Sequence, residues 1–182
     1  MKTYLIVFLI IGITSTSIAQ EKFNNQSSQE LNTVIVKLNS NNSKYLSQVK
    51  HKETPIKVEK LQNIVAKFNI EDAKVYNTNY NGTYDVTFDE TNSKIVATYN
   101  ANGEIIESSE EFKNVRLPNT LIKTVLNEYP QWRLVGNTQS VHYKEDKGVT
   151  KIYAIDVTDG NKKKTLKFKL TNQPYNNYVA VN

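Results

Sequence analysis

The chain has 182 residues, 23 Lys+Arg against 18 Asp+Glu, 11 tyrosines, two histidines and no cysteine. Without a thiol there is no disulfide framework, no cysteine-ligated metal, no thiol nucleophile and no lipidated cysteine. His51 and His142 are too few for a three-histidine zinc site and sit in unrelated stretches, so metal and histidine chemistry start as poor prospects.

Lys2 followed by the ten-residue apolar run Tyr4 to Ile13 and the small-x-small pattern Ser17-Ile18-Ala19 predicts a cleaved secretory signal. As a helix such a run rises only about 15 Å, half of a ~30 Å hydrocarbon core, so it is too short to span. Cleavage between Ala19 and Gln20 removes 19 residues and one lysine, leaving 163 residues with a net charge of +4 in place of +5. The expected product is an exported protein, periplasmic or extracellular, with no stable membrane insertion after the signal is cut. Its basic character does not point to nucleic acid, which an exported protein rarely meets.

Residues 20–54 read as a flexible leader with one short strand at Thr33 to Leu38; the polar stretch 39–53 has only Tyr45, Leu46 and Val49 as sizeable apolar groups. Thr54-Pro55 then reads as an N-cap followed by proline at the first helical position. Val58, Leu61, Ile64, Val65 and Phe68 fall on one helical face, which predicts an amphipathic helix over 55–68. Beyond it the period changes to two, through Tyr84, Val86, Phe88, then Ile95, Ala97, Tyr99, then a return strand from Glu104 to Ser108. Asn81-Gly82 and Asn102-Gly103 supply hairpin signals between these runs.

The order then repeats. Leu117-Pro118 opens a second amphipathic segment, with Leu121, Ile122, Val125, Leu126 and Tyr129 on one face and Pro130 as its stop. Strands are expected at 132–135, 140–144, 151–157 and 165–170, with Asp159-Gly160 as a turn. Lys167 and Lys169 alternate with Leu166, Phe168 and Leu170, a pattern that reads as an edge strand with lysines discouraging further pairing, or else as a patch facing an anionic partner. Residues 171–182 read as a frayed or loosely docked tail. The sum is an α+β domain over 55–170, two helix-plus-antiparallel-meander repeats with the helices on one face of an antiparallel sheet.

Leu117-Pro118-x-x-x-Ile122, continuing to Glu128-Tyr129-Pro130-x-Trp132 and preceded by Ala101-Asn102-Gly103-Glu104-Ile105, resembles the PepSY-like, β-lactamase-inhibitor-like domains of small exported bacterial proteins of the Bacteroidetes type. The resemblance covers residues 55–170. It implies helices packed on an antiparallel sheet, and binding or inhibition rather than turnover, with no cofactor and no catalytic residue. The chain lacks the cysteines that form the inhibitor's disulfides.

Chemical motifs are sparse. Ser47-x-x-Lys50 matches a penicillin-binding nucleophile motif but lacks its partner motifs. Asp89-Glu90 and Glu110-Glu111 are neighbours that a strand points to opposite faces, and read as turn-solvating charges. Asp156 to Gly160 misses the calcium-loop spacing, and the sequons Asn41-Asn42-Ser43 and Asn81-Gly82-Thr83 carry no weight in an exported bacterial chain. Tyr84, Phe88, Trp132 and Phe168 are expected in the core. Residues of the opposite parity, His142, Lys144, Lys167 and Lys169, are the candidate interface for a protein or peptide partner. The expected function is therefore a non-catalytic exported binding module that uses its open sheet face, and the alternative is an envelope accessory that donates the 31–38 segment as a strand.

Overall fold

A computed structural model describes residues 42–77, 79, 81–171 and 178–181. The expected signal peptide, its expected cleavage site at Ala19 and Gln20, and the strand expected at 31–38 lie outside the described residues. The fold is α+β, with three helices and a seven-stranded antiparallel sheet among the described residues. Helix α1 spans Ser43–Val49, α2 Ile56–Lys67 and α3 Asn119–Glu128, with a 3-10 turn at Ile70–Asp72. The strands are β1 Tyr84–Glu90, β2 Ser93–Tyr99, β3 Ile105–Lys113, β4 Arg133–Lys144, β5 Gly148–Thr158, β6 Lys163–Leu170 and β7 Tyr178–Val181. Each strand pairs with its neighbour in the chain, so sheet order equals sequence order.

Both longer helices begin in the same way. Pro55 and Pro118 sit extended at the N-cap, where their carbonyls accept the first helical bonds from Glu59 and Ile122. Proline is thus one position earlier than Thr54-Pro55 suggests, and the Thr54 hydroxyl turns back to accept from His51 N–H at 2.8 Å. On α2, Val58, Leu61 and Val65 are buried as their spacing requires, whereas Ile64 is exposed and Gln62 is buried in its place. On α3, Leu121 and Val125 carry the packing and Leu126 faces out.

Several boundaries differ from expectation. The first hairpin turns at Thr91-Asn92, with Asn92 at φ +63°, because Glu90 pairs directly with Ser93; Asn81-Gly82 merely precedes β1. Asn102-Gly103 does turn the chain between β2 and β3, with Gly103 at φ +77°. The return strand runs on to Lys113 rather than ending at Ser108. The expected strands at 132–135 and 140–144 are one strand, bulged between Leu134 and Gly136, and Trp132 lies just before it. The tail does not simply fray: Tyr178–Val181 pairs with β6, so Lys167 and Lys169 are on an interior strand and not on an edge.

The largest correction concerns the supposed leader. Residues 43–49 form a helix whose Tyr45 is 1% exposed and stacks edge-on against Tyr143, with ring centroids 5.4 Å apart. Asn42, 4% exposed, anchors it: its Nδ2 donates to the carbonyls of Ala66 and Gly103, both at 3.1 Å, and its Oδ1 accepts from Ile105 N–H at 2.7 Å. Those three bonds tie the start of α1 to the end of α2 and to the β2–β3 turn. Asn42 is accordingly a structural clasp, and the sequon's acceptor Asn41 lies outside the described residues.

All three helices pack on the same sheet face. One apolar cluster gathers α1 and α2 over β2, β3 and β4, through Val58, Leu61, Val65, Ile95, Tyr99, Phe112, Val141 and Tyr143. A second gathers α3 over β5 and β6, through Leu121, Val125, Tyr153, Ile155, Val157, Leu166 and Phe168. Of the rings expected inside, Tyr84 and Phe168 are buried, while Phe88 and Trp132 are only partly covered.

Candidate functional site

The opposite face carries no helix among the described residues. Strand alternation sends Asp85, Lys94, Glu107, Glu111, His142, Lys144, Ile152, Lys167 and Lys169 to it. His142 stands exposed between Ser109 and Thr150. Lys144 is paired with Glu107 across β3–β4 at 3.1 Å, which leaves little of its charge for a partner. Lys167 lies between Ala154 and Val181, and Lys169 between Ile152 and Val179; neither makes an ion pair among the described residues. The four candidate interface residues thus share one face, but as two pairs separated by β5. The half of the face beside β6 and β7 combines unpaired cations with the exposed Val179 and the half-covered Ile152 and Ala154.

A second set of polar residues lies where the two apolar clusters meet on the helix side. Glu110 is 2% exposed and not a turn-solvating charge. It accepts from Tyr45 Oη at 2.7 Å and Ser108 Oγ at 3.1 Å on Oε1, and from Gln62 Nε2 at 2.7 Å on Oε2. Burial pushes its pKa up, against the three donors and the Lys151 charge, which pull it down. Burial also raises the Tyr45 pKa well above its usual value. Glu111, one residue on, faces solvent and pairs with Lys113 at 3.0 Å.

Lys151 is 3% exposed and donates its Nζ to the Val49 carbonyl at the end of α1. Desolvation lowers its pKa to about 8, partly offset by Glu110. In the register, Val141 lies between these two residues, which make no direct ion pair. Beside Lys151, His51 Nδ1 accepts from Glu53 N–H at 3.1 Å, which leaves Nε2 to donate to Tyr153 Oη at 3.4 Å. Burial and the Lys151 charge lower the His51 pKa to about 4. The Gln139 and Gln62 side-chain oxygens are buried and accept no hydrogen bond.

These groups could be found by counting. Lys151 is in phase with Tyr153, Ile155 and Val157 on a strand the sequence predicts, and Glu110 is in phase with Phe112 once the strand is carried past Ser108. The remaining motifs dissolve into local structure. Ser47 Oγ donates to the Lys44 carbonyl while Lys50 donates to Glu59 and Asn63, so the Ser-x-x-Lys pair does not meet. Asp159 accepts from the N–H groups of Asn161 and Lys162 in the β5–β6 turn.

The Lys151 charge has a measurable consequence. Its pKa, about 8, compares with 10.5 in the unfolded chain, so between those values the folded state binds fewer protons and stability rises with pH. Above pH 10 the raised pKa values of Tyr99 and Tyr153 act in the opposite sense. From pH 8 to 9.5 the wild type should gain up to about 2 kcal/mol over Lys151→Met, measured as the difference in urea unfolding free energy. Parallel pH profiles for the two proteins would remove Lys151 as the source.

Among the described residues, no group of three or more His, Asp or Glu is placed to hold a metal, and no helix is long and apolar enough to cross a membrane. The fold and its two surfaces define a single-sheet α+β domain with one helix-covered and one open face. No family model matches the chain, and no curated protein or solved structure matches it.

Proposed function

We propose that the protein is a non-catalytic exported module that docks a protein or peptide segment on its open sheet face. The observation that carries this reading is that, among the described residues, Lys167 and Lys169 make no ion pair and stand beside Ile152, Ala154 and Val179 on a face that no helix covers. Apolar contact area with a rim of free cations suits an extended segment bearing carboxylates. The order α2 with β1–β3, then α3 with β4–β6, supports the two-repeat, β-lactamase-inhibitor-like arrangement, to which α1 and β7 are additions. An inhibitor-like role, holding a partner without turning it over, fits the same face.

A photo-crosslinking residue at Val179, set against a control at Ile64 on the helix side, tests the proposal in the producing cell. Both positions are half exposed. A discrete adduct should form from Val179 and not from Ile64. Its yield should fall roughly tenfold in the Lys167→Glu/Lys169→Glu double variant, as for a loss of ~1.4 kcal/mol in binding. Equal adducts from both positions, or none from Val179, would rule the open face out.

A further inference from the structure

The seam between the two apolar clusters opens to solvent as a cavity of about 380 Å³ beside the end of α1, the β4–β5 hairpin and the end of β6. Lys50, His51, Lys147 and Lys151 line it, together with the apolar Val149 and Leu170, and among the described residues no carboxylate does. The Lys50 ammonium is engaged by Glu59 and Asn63. Lys147 is exposed at the rim and makes no ion pair among the described residues.

Lys151 is the informative member. An ammonium has three N–H donors, and a buried one needs acceptors for them. Among the described residues Lys151 has one, the Val49 carbonyl. Val141 separates it from Glu110 in the register, so its remaining donors have no anionic acceptor on the protein side. With a pKa near 8 it is mostly protonated at neutral pH. His51 adds no charge there, since its Nδ1 is occupied by Glu53 N–H and its pKa lies near 4.

We infer that this cavity binds a carboxylate with a small apolar body, the carboxylate meeting the free N–H donors of Lys151 with Lys147 at the rim and the body lying on Val149 and Leu170. A single buried ammonium suits a monoanion. The cavity's lining has no arginine and offers no run of glycines whose N–H groups could cradle a phosphate. The site is on the helix side of the sheet, so it stands or falls independently of the open-face reading. The carboxylate could belong to a free small molecule or to the C-terminus of a peptide.

Titration of the isotope-labelled full chain at pH 7 with N-acetyl-leucine, its amide, a tripeptide acid ending in leucine, and inorganic phosphate tests the inference. The acid should shift the amide signals of Val49, His51 and Lys151 saturably, the amide should leave them in place, and the Lys151 pKa read from its side-chain carbon should rise on saturation. Lys147→Ala should weaken binding by a few-fold and Lys151→Met by tenfold or more. If Lys151→Met does not fold, the rise in the wild-type Lys151 pKa carries the same information. Binding of the tripeptide acid at least tenfold tighter than N-acetyl-leucine assigns a chain terminus, and comparable affinities assign a free carboxylate. Equal binding of acid and amide, tighter binding of phosphate, or shifts that never saturate would overturn it.

Discussion

Glu110→Ala should lower the unfolding free energy by about 3–5 kcal/mol, the range expected when one partner of a buried charged network is removed. The side chain is the shared acceptor of three buried donors, Tyr45 Oη, Ser108 Oγ and Gln62 Nε2, which the truncation leaves without a partner. Water cannot replace the carboxylate without opening the space between α1, α2 and β3. Glu110→Gln should behave quite differently. Its amide oxygen can still accept from Tyr45 and Ser108, and a turn of the Gln62 amide would present the Gln62 oxygen, which now accepts nothing, to the new NH₂ group. The variant also removes a buried charge, so it should stay within about 1 kcal/mol of wild type at pH 7. The sign with pH follows from the raised Glu110 pKa: the folded state holds its proton longer than the unfolded state, so Glu110 contributes most below pH 4.5 and loses that contribution as pH rises through its folded pKa. Urea unfolding of the three proteins decides the matter, and a Glu110→Ala cost below 1 kcal/mol would show that the network is solvated rather than sealed.

A chain that begins at residue 51 should fail to fold cooperatively. It lacks Asn42, whose three bonds join α1, α2 and the β2–β3 turn. It also lacks Tyr45 and Val49, both 1% exposed, and the carbonyl that receives Lys151. Losing a buried aromatic side chain alone costs about 3–5 kcal/mol, and the stranded Glu110 and Lys151 add to it, against a typical domain stability of about 5–15 kcal/mol. A chain that begins at residue 42 keeps every one of these contacts and should melt as a single transition. Circular dichroism melts with amide spectra of the two truncations separate the cases; a sharp transition in the shorter chain would place α1 outside the folding unit.

α1 escaped the sequence reading for a physical reason. Its seven residues carry only Tyr45, Leu46 and Val49 as apolar groups, no side-chain cap marks its start, and its stability comes from tertiary contacts 24 to 102 residues away in the chain. The longer elements were legible because their periods are strong: Val58, Leu61 and Val65 in α2, Leu121 and Val125 in α3, and Tyr153, Ile155 and Val157 in β5 all lie inside where the spacing puts them. The polar seam was hidden by a habit of composition. Glutamate and lysine count as surface residues unless their phase is checked against the neighbours, and Glu110 and Lys151 are both in phase with the core. The four candidate residues share the open face, but the pairing of Lys144 with Glu107 depends on which strands are adjacent, and that information is in the register rather than in either residue.

Among the described residues β1 and β7 do not pair with each other or with a further strand, and two such margins invite another molecule of the same kind to extend the sheet. β7 offers only four residues for this. β1 is longer, but its own sequence resists the most symmetrical union: an antiparallel match with a second β1 centred on Thr87 would set Asp85 of each copy directly opposite Asp89 of the other. Like charges facing each other across strands disfavour such a pairing. The carboxylates of β1 therefore weigh against that symmetrical register of edge-to-edge pairing.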